Sequence, residues 1–164
     1  MKIKDLSGVV IVPWDFSELS RDALNRAYEM VTDPNLIRVV HVSQLPSPYE
    51  IGIAWEAVSE QTIRDQLVIA FRKELENDPR LHNIALTVLF GDPGRAICNY
   101  AHDHGAELIV VPSHGRSGFT RLLLGSVAER IVRHAPCPVL VLRTPAPVEA
   151  ANPAPNQPSS VTVY

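Results

Sequence analysis

The sequence predicts a doubly wound α/β domain, a parallel β-sheet with helices on both faces. Three observations carry that prediction. Short apolar runs alternate with amphipathic segments in the order β-α-β-α-β-α-β-α-β, and alternation of this kind requires right-handed crossovers that lay helices against a parallel sheet. The first run, residues 8–13, is apolar throughout instead of at every second residue, as in a strand buried on both faces. Finally, 164 residues with 46% apolar and 20% charged side chains suit one globular domain with a sizeable core.

Gly8-Val9-Val10-Ile11-Val12-Pro13 is the first predicted strand and, having no polar face, a central one. Ser17 is the predicted cap of the first helix, with Glu18 beside the positive end of its dipole and Leu19, Ala23, Ala27, Met30 and Val31 on its inner face. Asp33-Pro34-Asn35 breaks that helix, and residues 36–42 form the second strand. Residues 44–54, with Pro46, Pro48 and Gly52, read as a loop. Residues 55–77 read as the longest helix, with an apolar stripe of Ile63, Leu67, Ala70, Phe71 and Leu75, closed by Asp78-Pro79.

Residues 84–90 are the third strand. Asp92 then caps a third helix that has Pro93 in its first turn and ends at Gly105, with Ile97, Tyr100, Ala101 and His104 facing inward. Residues 107–111, 126–134 and 138–143 follow as strand, helix and strand. The domain is therefore residues 1–143. Residues 144–164, rich in Pro, Ala, Asn and Ser, offer almost nothing to bury and are expected to form a disordered tail.

Composition narrows the function. A formal charge of -3 and a pI near 6.0 argue against nucleic-acid binding, which needs a basic face. Cys98 and Cys137 are the only cysteines and have no metal-ligand spacing, so they read as buried thiols in a reducing compartment. No apolar run approaches a membrane span, and the start lacks a signal-peptide pattern; no membrane association and a cytoplasmic location are expected.

Ligands of doubly wound sheets collect beyond the carboxyl ends of the strands. Here the most informative stretch follows the fourth strand, a glycine-bearing loop from Pro112 to Ser126 that feeds a helix. Free N–H groups and the positive end of a helix dipole attract an anion there without any catalytic side chain. His114 lies in that loop and reads equally as a contact to a phosphate or ribose and as a solvated loop histidine. Ser126-Val127-Ala128-Glu129 matches the S-x-x-E capping box, which makes Ser126 the expected helix cap. Asp15 can accept from an adenine amino group or cap the first helix; Gly91-Asp92-Pro93-Gly94 reads as a turn and cap. His102 and His104 do not share a helix face, so no metal site is expected there. G-x-x-x-x-G-K-[ST], G-x-G-x-x-G and G-x-S-x-G are all absent, which removes the P-loop, dinucleotide and serine-hydrolase readings.

Pro13-Trp14-Asp15-Phe16-Ser17, Val40-His41-Val42 and above all Ser113-His114-Gly115-Arg116, Leu124-Gly125-Ser126-Val127-Ala128-Glu129-Arg130 and Ala135-Pro136-Cys137-Pro138-Val139-Leu140-Val141 resemble the universal stress proteins. The resemblance runs from Gly8 to Arg143. It implies the fold of the adenine nucleotide alpha hydrolases, with five parallel strands in the order 3-2-1-4-5, and homodimers that pair their last strands, here Val139 to Arg143. It also implies an adenine-nucleotide pocket for ATP or AMP, with any Mg2+ held mainly by the phosphates, and no catalytic residue. The family motif G-x2-G-x9-G-[ST] aligns as Pro112, Gly115, Gly125 and Ser126. Asp15 and Val42 fall where the family contacts adenine, with Pro13 beside them. The N–H groups of Gly115, Gly125, Ser126 and Val127, the Ser126 hydroxyl, and neighbouring Ser113, His114 and Arg116 complete the implied site.

One position departs from the motif. Pro112 replaces its first glycine, and proline has no N–H and cannot adopt positive φ. It suits the extended end of a strand, so the fold is expected to survive while the ligand forgoes one backbone donor. A nucleotide-independent interaction module is the alternative that Pro112 favours.

Overall fold

The computed structural model describes residues 5–44, 59–114 and 124–143. Residues 45–54 of the expected loop after the second strand, residues 55–58 of the expected long helix, Gly115, Arg116 and the tail from residue 144 lie outside them. The elements are β1 (Val10–Pro13), α1 (Glu18–Tyr28), β2 (Ile37–Ser43), α2 (Glu60–Leu75), β3 (Leu86–Phe90), α3 (Pro93–Asp103), β4 (Leu108–Pro112), α4 (Ser126–His134) and β5 (Val139–Leu142). All four strand pairings are parallel and the order is β3-β2-β1-β4-β5, as expected.

β1 is the central strand because every residue in it is buried. Alternation sends Val10 and Val12 into a core shared with Ala23, Leu24 and Ala27 of α1 and Phe71 and Leu75 of α2. It sends Ile11 into a second core with Ile97, Cys98 and Ala101 of α3 and Ala128 and Ile131 of α4. The first two helices thus cover one face and the last two the other. Among the described residues, no helix is long and apolar enough to cross a membrane.

The inner faces of the helices differ from the periodic reading in three places. In α1, Ser20 and Leu24 are fully buried while Leu19 is only half-buried; Ser20 is tolerated because its hydroxyl donates to the Ser17 carbonyl at 2.8 Å. α2 begins at Glu60, because Ser59 is extended and caps it by accepting from the Thr62 N–H, and Ala70 is exposed. In α3, Gly94 and Cys98 point inward, whereas His104 is exposed and stacks on Tyr100 at 3.8 Å.

Capping by Ser17 and Asp92 is as expected, with Ser20 and Arg95 N–H groups donating to their side chains. Gly105, at φ 56, closes α3 in the left-handed conformation that favours glycine. α3 and α4 pack closely at Gly94, where an added Cβ would lie 2.6 to 2.8 Å from Cδ, Cβ and Cγ of Arg130. That stem carries the Arg130 guanidinium onto the Asp92 carboxylate, and the pair holds the Asp92 carboxyl below its ordinary pKa. Arg95, Cys98, Asn99 and His134 join them around a surface groove of about 550 Å3. Burial raises both thiol pKa values; Cys98 is buried, but Cys137 only half-buried.

Candidate functional site

β1 and β4 pair only at Val10 with Leu108 and Ile11 with Ile109, although both strands run further. Their carboxyl ends lead to helices on opposite faces of the sheet, so a crevice opens between them at the topological switch point. It holds a cavity of about 320 Å3 whose walls include Val40, Val42, Ile97, Val111 and Ala128. Asp15, His41, His114 and the first turn of α4 add its polar groups.

Local geometry sets the Asp15 carboxylate. The Ser17 N–H donates to its Oδ1 at 3.1 Å and the Ser17 hydroxyl at 2.5 Å, while the same hydroxyl accepts from the Ser20 N–H to cap α1. The turn between them passes through Phe16 at φ 63. A bulky residue there costs on the order of 1 to 3 kcal/mol, offset by ring contacts with Trp14 at 6.0 Å and His41 at 5.2 Å. The Trp14 carbonyl can only accept, so the bond it makes with Nδ1 of His41 at 2.8 Å puts the proton on that nitrogen. His41 thereby ties the end of β2 to the chain leaving β1.

Across the crevice, β4 extends through Pro112, which is buried and in register with Leu142 of β5. Ile109 and Ser113 donate their N–H groups to Pro138 and Leu142. Backbone groups alternate sides along a strand, so the nitrogen of Pro112 faces β1 beyond the end of the β1–β4 pairing. The proline therefore costs the sheet no hydrogen bond; the donor it removes would have faced the crevice.

Ser113 is buried, 3% exposed. Its hydroxyl shares a hydrogen bond with Nδ1 of His114 at 3.0 Å, and its carbonyl accepts the Gly125 N–H at 2.8 Å. Gly125, extended at φ -60 and ψ 151, is the cap residue of α4 and supplies no side-chain cap. The expected capping box does not form. Ser126 is the first helical residue, one position too late to cap, and Glu129 pairs with Arg133 instead. Among the described residues, none accepts the N–H groups of Ser126 and Val127, as expected of an uncapped first turn.

Residues 8–143 match the Universal stress protein family. The chain belongs to that family. A universal stress protein of Methanocaldococcus jannaschii is 34% identical over 150 residues, 87% of this chain and 85% of the relative. Two solved structures share the fold. A universal stress protein in complex with cAMP is 22% identical with a TM-score of 0.57, covering 84% of this chain and 97% of that one. An Arabidopsis thaliana universal stress protein family protein with AMP bound is 21% identical with a TM-score of 0.52, covering 87% and 97%.

In this universal stress protein the cavity brings together Pro13, Asp15, Val42, Pro112, His114, Gly125, Ser126 and Val127 from the sequence-derived set. Ser113 sits behind it as a brace. The Gly125 N–H, which the resemblance implies as a phosphate donor, donates to the Ser113 carbonyl in this structure. Val40, His41, Trp14, Val111, Pro93, Ile97 and Ala128 also line the cavity and were not in that set. The first two belong to a strand end whose neighbour Val42 carries the motif signal; Pro93 and Ile97 reach the cavity from α3, which no loop motif signals.

Proposed function

We propose that this universal stress protein binds an adenine nucleotide, ATP or AMP, in the β1–β4 crevice and acts as a cytoplasmic sensor or regulator. One observation carries the reading: a cavity with apolar walls has the Asp15 carboxylate and the uncapped first turn of α4 on its lining. The carboxylate offers an acceptor to the exocyclic amino group of adenine. The walls take the base and ribose. The N–H groups of Ser126 and Val127, with the α4 dipole, take the phosphates, an interaction that needs no basic side chain. Any Mg2+ would arrive on the phosphates. The AMP and cAMP complexes of the two structural neighbours support an adenine ligand.

Catalysis is not part of the proposal. Asp15 is engaged by Ser17 and, in this reading, by the base, which leaves it unable to activate water at a γ-phosphate. Hydrolysis should be slow at most.

A homodimer through β5 belongs to the same proposal. Pro138 and Leu142 turn their carbonyls toward β4, so Val139 and Val141 present theirs at the free edge. The strand is apolar and half-buried, as an edge that receives a second copy should be.

The second reading, a nucleotide-independent interaction module, draws on the donor that Pro112 lacks and the Gly125 N–H committed to Ser113. Isothermal titration with ATP, AMP and GTP separates the two. Binding of ATP or AMP supports the pocket; no heat and no thermal shift at millimolar adenine nucleotide would leave the interaction module.

A further inference from the structure

The two edges of the sheet are not equivalent. Gly91 donates its N–H to Ser43 of β2 at 3.1 Å, and by alternation the backbone groups of Val88 and Phe90 face away from β2, along the outer edge of β3. Arg64 of α2 reaches that edge and donates to the Val88 carbonyl. Its guanidinium lies over the Phe90 ring at 4.7 Å and within 3.5 Å of the Glu60 carboxylate one turn earlier. Three partners therefore hold one cation across the edge. At β5, by contrast, no described residue hydrogen-bonds to the outward backbone groups of Val139 or Val141.

We propose that Arg64 seals the β3 edge against strand addition, so that a second copy of this chain pairs only at β5. A single open edge gives an isologous dimer that closes on itself, whereas two open edges would allow each dimer to add further copies without closure. A strand joining β3 must displace a guanidinium from the carbonyl it needs and bury the charge or expel it. The inference rests on the β5 dimer reading for its consequence, and on the Arg64 contacts for its cause.

Light scattering during gel filtration of the full chain tests it, with wild type beside Arg64→Ala over a hundredfold concentration range. The expected result is a wild-type mass that plateaus and an Arg64→Ala mass that keeps rising, to about twofold above wild type or more at the highest concentration. Equal masses throughout, with native circular dichroism, would overturn the proposal. Should Arg64→Ala fail to fold, Arg64→Gln keeps part of the stem over Phe90 while its amide is too short to reach Val88, and the same outcomes apply. A monomeric wild type would refute the β5 dimer, yet the role of Arg64 would still stand or fall on whether its loss raises the mass.

Discussion

The Gly125 N–H donates to the Ser113 carbonyl at 2.8 Å, so the end of β4 and the start of α4 are joined at the base of the glycine loop. Ser113 in turn donates its own N–H to Leu142. One buried residue thus positions the first turn of α4 against the sheet. Gly125 contributes as a cap with an ordinary extended backbone, and nothing in its φ of -60 requires glycine.

That conformation makes Gly125→Asp a discriminating variant. An aspartate there can cap α4 and complement its dipole, raising stability by about 0.5 kcal/mol. The same carboxylate would occupy the N–H groups proposed to bind phosphate and repel the ligand, weakening ATP binding by roughly tenfold or more. Thermal melting and isothermal titration should therefore move in opposite directions.

Pro112 offers the complementary test. Pro112→Ala returns an N–H that faces the crevice without disturbing the pairing with Leu142. If that donor reaches a phosphate, ATP affinity rises several-fold, about 1 kcal/mol. Pro112→Gly should do the same at lower stability, since glycine frees the unfolded chain. Unchanged affinity in both, measured by titration, would show that the proline is a neutral variant of the motif.

Gly94→Ala should destabilise the domain by about 1 to 3 kcal/mol. Its Cβ would fall 2.8 Å from Cβ of Arg130, which cannot rotate away as the tip of a side chain can. Urea unfolding should show a lower midpoint with an unchanged slope.

The Asp92 carboxyl is held below its ordinary pKa chiefly by the Arg130 guanidinium. A folded-state pKa below the unfolded one stabilises the protein above the unfolded value and ceases to do so as pH falls through the folded value. Wild type should therefore exceed Asp92→Asn in stability at neutral pH, and the gap should close as pH falls through and below the ordinary carboxylate range. Urea midpoints across that range check the sign.

The two-faced helix arrangement was legible because apolar runs alternate with amphipathic segments, and the central place of 9–12 because that run has no polar face; the strand order came only with the family resemblance. The cavity was legible at the carboxyl ends of strands, with Asp15 just beyond β1 and Val42 among the last residues of β2. Three features were not. The capping box at Ser126 fails because Ser113, 13 positions earlier, captures Gly125 and shifts the cap by one residue. Phe16 adopts φ 63 because its ring packs between Trp14 and His41, a tertiary contact that overrides local preference. Leu19 yields its place in the core to Ser20, whose hydroxyl is satisfied by its own helix.

Amide chemical shifts during an ATP titration of the labelled protein test the nucleotide pocket most directly. Ser126 and Val127 should shift most, with Asp15 and Val42 following at the same apparent affinity, while Val88 at the far edge stays still. Saturating ATP that leaves Ser126 and Val127 unmoved, or that shifts only Arg95, Asn99 and Arg130 around the α3–α4 groove, would contradict the β1–β4 crevice as the binding site.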